Sequence, residues 1–209
     1  MPEPEDLLNN NRQWAANKVR ISPDFFSHLA AQQRPKYMWI GCSDSRIPAN
    51  EIVGLEAGEV FVHRNVANQV VHTDLNTLSA VQYAIDVLGV EHVIVSGHYD
   101  CGGVLAAMEP QHFGIVDNWI RGIRDIFTKH KDELAACDEH TRFDKLCEYN
   151  VIRQVENLSH TRIVQNAWAR GQRVSLHGWI YGLRDGLLRD LNVTKNSTGD
   201  VDPIYRITG

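Results

Sequence analysis

The chain has 209 residues, 43% of them hydrophobic, and a formal net charge of −5. That is enough apolar material for one full core, and it points to a single domain over residues 1–209. The acidic balance excludes the basic field that a phosphate backbone requires. No uninterrupted apolar run reaches membrane-spanning length, so neither nucleic acid nor a membrane is an expected partner.

The opening stretch MPEPEDLLNN has neither the positive region nor the apolar run of a secretory signal, which makes the cytoplasm the expected location. Residues 1–35 read as an N-terminal helical arm. Its two pieces, Leu7 to Arg20 and Phe25 to Gln33, are separated by Ser22-Pro23-Asp24, where serine can cap and proline can open the second. Short buried strands follow at Lys36 to Gly41, Glu59 to His63 and His92 to Gly97, with a fourth at Arg173 to Tyr181. Between the second and third, Leu75, Leu78, Val81, Ile85 and Leu88 recur at spacings of three or four. Thr73-Asp74 caps this amphipathic helix and Gly89 stops it. Helical sequence fills most of Asp117 to Arg170, with Gly171 as terminator. Strands alternating with helices predict an α/β fold, a mostly parallel central β-sheet flanked by helices. The tail, 192–209, is polar and weakly patterned, an edge hairpin or a partly disordered end.

Four cysteines, Cys42, Cys101, Cys137 and Cys147, are too few for a disulfide framework in a chain of this size. Cys137 and Cys147 lie outside any ligand-type pattern and are assigned to ordinary packing. The other two belong to clusters. Cys42-Ser43-Asp44-Ser45-Arg46 begins where one strand ends, and His98-Tyr99-Asp100-Cys101-Gly102-Gly103 begins where another ends. Carboxyl ends of strands are where open α/β sheets bind ligands, so two loops distant in sequence can converge there. A lone cysteine after a strand is usually core, and a lone histidine is usually a satisfied polar group. His98-x-x-Cys101 together with Cys42 and a carboxylate is instead a donor set suited to tetrahedral zinc. Paired Cys-x-x-Cys knuckles are absent, so this is not a zinc finger.

The phrases CSDSR (42–46), HRNVAN (63–68) and GHYDCGG (97–103), with His177-Gly178-Trp179 and Asp185-Gly186, resemble the β-class carbonic anhydrases. The similarity runs from about Asn10 to Asn192, and the further phrases are similar to bacterial members. The short end VDPIYRITG departs from relatives that continue with more helical sequence. The resemblance implies one zinc per chain on Cys42, His98 and Cys101, with Asp44 either the fourth ligand or the partner of Arg46. It implies reversible hydration of carbon dioxide to bicarbonate by a hydroxide generated at zinc, with Asp44 switching between zinc and Arg46. It also implies a cleft lined by Gln33, Phe61, Val66 and Tyr83, of which Gln33 and Tyr83 come across a dimer interface. A homodimer pairing into a homotetramer goes with that. Trp39, Arg64 and Tyr181 match a bicarbonate pocket of the regulated subgroup, although singly each reads as structural.

On physical grounds, two thiolates donate more charge to zinc than imidazoles do, so the bound water should be less acidic and activity should favour alkaline pH. Gly102 and Gly103 would let backbone approach the metal, and the amides of the helix they open would favour an anionic product. Rival readings are hydrolysis of carbon disulfide or carbonyl sulfide with the same ligands, and a non-catalytic structural zinc closed by Asp44. A phosphatase-like Cys42 nucleophile would need five residues before Arg46, and only three intervene.

Overall fold

The computed structural model describes residues 2–207. The chain divides into two compact units, one ending at Arg34 and the other beginning at Pro35.

The first unit is a helical pair, α1 (Pro4–Ile21) and α2 (Phe25–Ala31). Pro4 at the first helical position and a Glu3–Asp6 capping box start α1 three residues before its apolar pattern does. Ser22 closes α1, its N–H bonding the Lys18 carbonyl, and Asp24 is the residue that opens α2. Trp14, Phe25 and Phe26 meet edge to face at centroid distances of 5.1–6.4 Å. α2 stops at Ala31, so Gln33 stands exposed beyond the helix.

The second unit runs β1 (Tyr37–Cys42), α3 (Ala49–Ile52), β2 (Val60–Asn65), α4 (Leu75–Gln82, continuing as a π-helical turn Tyr83–Leu88), β3 (His92–His98) and α5 (Gly102–Met108). It continues with α6 (Val116–Trp119), α7 (Arg121–Lys129), α8 (Lys131–Ala135), α9 (Glu139–Ser159), α10 (Arg162–Ala169), β4 (Ser175–Tyr181) and β5 (Leu188–Asp190). The sheet order is β2-β1-β3-β4-β5, parallel except for β5. Asp74 caps α4 through the Asn76 N–H, and left-handed Gly89 ends the π-helical turn. The helical stretch after residue 117 breaks where Asp138 caps α9 and Thr161 caps α10.

Strands β1 and β3 are almost wholly buried, but the two faces of the sheet are covered unequally. Met38, Ile40, Cys42, Val93, Val95, Leu176 and Ile180 enter the large core beneath α9. Trp39 and Ile94 on the other face join a smaller cluster with Ala49, Tyr37 and Trp179. Along α9, Cys147, Val151, Val155 and Leu158 form the buried stripe. Gly97 lets that stripe close on β3, because a Cβ there would stand 2.4 Å from Val151 Cγ2. Burying the valine and leucine side chains of this stripe against the sheet stabilises the unit by about 1.5–3 kcal/mol per side chain.

The tail corrects the sequence reading. The antiparallel hairpin lies earlier, between β4 and β5, and Lys195 then bridges Leu176. Beyond it, buried Gln165 donates to the Tyr205 carbonyl and accepts from the Ile207 N–H, while the Tyr205 ring stacks on His160 at 3.9 Å. Residues 192–207 are therefore tied down. Thr208 and Gly209 lie outside the described residues.

Candidate metal centre

The adjacent parallel strands β1 and β3 bring Cys42 and His98 to the same carboxyl edge of the sheet. After β3, the Tyr99 N–H continues the ladder to the Tyr181 carbonyl, and Asp100 turns left-handed at φ 57°. That turn places Cys101 at the start of α5. The Cys42 and Cys101 sulfurs stand 3.9 Å apart. With a ring nitrogen of His98, these buried donor atoms all lie within 4.8 Å of one another.

The chemistry of the donors fits a metal ion. His98 Nδ1 lies 2.8 Å from the Tyr99 carbonyl, which can only accept, so Nδ1 carries the proton. Nε2 is buried and has no hydrogen-bond partner. A buried polar atom left unpaired costs about 1–3 kcal/mol, and a metal takes up that lone pair. Cys42 is pushed down by the Cys101 hydrogen bond and by His98 and the Ala67 N–H, against burial. Cys101 is pushed up by Cys42 and by burial. The two sulfurs resist joint ionisation, and a dication between them removes the conflict. Zinc, held by Cys42, His98 and Cys101, is the cofactor that this set accommodates.

Asp44 is engaged elsewhere. Arg46 grips it through Nε to Oδ1 at 2.9 Å and Nη2 to Oδ2 at 2.6 Å, and the Arg46 N–H adds a bond to Oδ1 at 3.0 Å. The guanidinium holds this carboxyl well below the usual carboxylate range. Its Oδ2 nevertheless stays 3.7 Å from His98 Nε2. Arg46 also reaches the Asp100 carbonyl at 3.3 Å, tying one ligand loop to the other.

The loop after β2 supplies support that the sequence reading did not identify. Ala67 and Asn68 are left-handed, at φ 61° and 47°. For alanine that conformation costs on the order of 1–2 kcal/mol. The Ala67 N–H points at the Cys42 sulfur, 3.4 Å away. Gly103 admits this loop, since a Cβ there would lie 2.9 Å from Val66 and 3.0 Å from Ala67, whereas Gly102 has open space around it. Gly103 thus serves the loop's approach to α5. Cys147, read as plain packing, is buried in α9, and the Cys101 backbone partly offsets the upward push of burial on its thiol.

Of the other predicted positions, Phe61 and Tyr83 pack together at 6.0 Å within one chain. Val66 is 40% exposed, and Gln33 belongs to the N-terminal unit. Trp39, Arg64 and Tyr181 share one face of the sheet by register. Arg64 donates to the carbonyls of Cys42 at 2.9 Å and Asp44 at 2.5 Å, so it braces the metal loop. A separate cavity of about 650 Å³ between residues 71–74, α7 and α9 contains none of the ligands.

The carbonic anhydrase family profile matches residues 37–188. A carbonic anhydrase of Emericella nidulans is 45% identical, with all of this chain and 98% of that protein covered. A Candida albicans carbonic anhydrase is 32% identical over 96% of this chain and 72% of its own length. Among solved structures, a Coccomyxa β-carbonic anhydrase in complex with acetazolamide superposes with TM-score 0.91 at 37% identity, covering 96% of this chain and 91% of that one. A tetrameric β-carbonic anhydrase of Sordaria macrospora gives 0.87 at 36% identity, covering 91% and 98%. These relatives are fungal and algal, so the similarity does not single out bacterial members. A metal triad at the carboxyl edge of a mostly parallel sheet, and kinship over the whole chain, lead to one conclusion: the chain belongs to the β-class carbonic anhydrases, zinc enzymes.

Proposed function

We propose that the enzyme interconverts carbon dioxide and bicarbonate, with Asp44 moving between Arg46 and the metal. The carrying observation is that Asp44 is held by Arg46 while its Oδ2 remains 3.7 Å from the ligating nitrogen of His98. Zinc supplies the Lewis acidity that makes hydroxide available near neutral pH. Asp44, kept ionised by Arg46, has acceptor oxygens only, so it orients the attacking oxygen by accepting its hydrogen. A structural zinc would be closed by Asp44, and the Arg46 pair favours a position left for substrate. Val66 and Phe61 keep bulk water from the cleft, the Gly102 and Gly103 amides face the product side, and Gln33 and Tyr83 serve the site of a partner protomer. The working form is a dimer that pairs into a tetramer, checked by sedimentation. Four free cysteines accord with a reducing compartment, and the cytoplasm is the proposed location, checked by fractionation. Stopped-flow hydration of carbon dioxide, run beside sulfide release from carbonyl sulfide and carbon disulfide, tests the reaction. Fast hydration without sulfide release supports it, and the reverse pattern overturns it.

A second reading places a regulatory bicarbonate beside Trp39, Arg64 and Tyr181, as in the bicarbonate-regulated subgroup. Its support is that Arg64 already bonds the carbonyls of Cys42 and Asp44, so an anion drawing on Arg64 acts on the loop that carries the Asp44 switch. Bicarbonate inhibition beyond product competition is expected, and Tyr181→Phe should weaken it with zinc retained. Unchanged inhibition in that variant removes this reading.

A further inference from the structure

Three side-chain amides on α9, Asn150, Gln154 and Asn157, are spaced by four and three residues and so share one helix face. That face meets the left-handed loop after β2. Asn150 Nδ2 donates to the Ala67 carbonyl at 3.0 Å, and Gln69 Nε2 donates to the same carbonyl at 2.8 Å and to Asn150 Oδ1 at 2.7 Å. Gln154 Nε2 bonds Asn150 Oδ1 at 2.9 Å, while its Oε1 accepts the Val70 N–H at 2.9 Å. Asn157 Nδ2 closes the series on the Val70 carbonyl and on Gln154 Oε1. Asn150, Gln154 and Gln69 are each at most 2% exposed. So many satisfied buried amides spent on one short loop imply that its conformation matters beyond packing.

The far side of that same peptide chain explains why. The Ala67 carbonyl is fixed by the amides, and the Ala67 N–H is aimed at the Cys42 sulfur. We propose that Asn150, Gln154 and Asn157 are positioning residues for the metal centre: Asn150 bonds Ala67 directly, Gln154 and Asn157 hold Asn150 and Val70 beside it, and left-handed Ala67 is thereby set so that its N–H withdraws charge from the Cys42 thiolate. A hydrogen bond to a coordinating sulfur lowers the electron density that the sulfur gives the metal. The amides therefore tune the metal's acidity from α9, whose Asn150 lies 83 residues from Ala67 in sequence, without touching it. None of the three is a catalytic residue. This inference rests on the assignment of Cys42 as a ligand and is separable from the reaction proposed above.

The test reads the metal–sulfur bond directly. Asn150→Ala and Gln154→Ala are loaded with cadmium, and the sulfur-to-metal charge-transfer band is recorded beside zinc affinity by chelator competition. Loss of the N–H contact raises the sulfur orbitals, so the band should move to longer wavelength, while a loop no longer held presents Cys42 poorly, so zinc affinity should fall about tenfold or more. Gln165→Ala removes an equally buried amide that serves the tail. It should lower stability and leave band and affinity at wild-type values. If Asn150→Ala or Gln154→Ala folds with an unshifted band and wild-type affinity, the proposal is wrong. Should neither variant fold, cadmium-113 in the wild-type protein decides. The Ala67 amide proton should show a scalar coupling to the metal, and an assigned Ala67 resonance without it overturns the proposal. Failure of wild-type chain to bind metal at all would instead break the ligand assignment.

Discussion

The two loops that carry the ligands are built to different mechanical standards. On the β3 side, the His98 side chain is fully buried, its Nδ1 is fixed by the Tyr99 carbonyl, and the Tyr99 hydroxyl is anchored on Glu148 of α9 at 2.6 Å. On the β1 side, Cys42 is also buried, yet two residues later Asp44 depends on Arg46, whose side chain is 54% exposed. One loop is locked by a helix and the other ends in a surface ion pair. Two of the candidate ligands, His98 and Cys101, thus sit on the braced loop, whereas the Asp44 carboxylate beside Cys42 is held by an exposed arginine.

Removing a thiolate ligand from either loop should have the largest effect. Cys101→Ser or Cys42→Ser replaces a thiolate by a poor oxygen donor, and both zinc and activity should be lost, as metal analysis and a hydration assay would show. Full occupancy and turnover in either variant would contradict the ligand set. Releasing the movable side should do less. Arg46→Ala frees Asp44 to remain on the metal, so turnover should fall roughly 100-fold, the scale of a misplaced reacting group, while zinc stays bound. Near-normal turnover would make the pair merely structural.

Smaller effects should come from groups outside both loops. His63 is pushed down by burial, against the nearby Asp74, and its Nε2 lies 3.0 Å from the Thr77 hydroxyl. The unfolded chain therefore binds a proton there more readily than the folded one. Stability from this group is present above the ordinary histidine range near 6.5 and is lost as pH falls below it. His63→Gln should flatten the fall in melting temperature between about pH 7 and pH 5, and an unchanged slope would remove His63 from the account. Gln165→Ala should cost about 1–3 kcal/mol in denaturant unfolding by leaving the tail's backbone groups unpaired, with turnover untouched.

The strands and the metal triad were legible because their signals are local. Runs such as Tyr37–Cys42 are apolar on both faces, and donors clustered at two strand ends leave few chemical interpretations. The arm, too, was readable as two helices around Pro23, with errors of a few residues at their ends. The supports of the site were hidden because they are relations across the chain. Nothing near Asn150 announces that its amide meets Ala67, 83 residues earlier. A left-handed alanine carries no compositional mark, unlike a glycine. The tail misled for a similar reason: its order comes from Gln165 and His160 rather than from any periodicity of its own.

A zinc titration of the metal-free protein, followed by stopped-flow hydration of carbon dioxide, tests the central claim most directly. Hydration should be absent without metal, rise in proportion to added zinc, and level off at one equivalent per chain. Full activity before zinc is added, or none at one bound equivalent, would contradict a zinc centre on Cys42, His98 and Cys101 as the seat of the reaction.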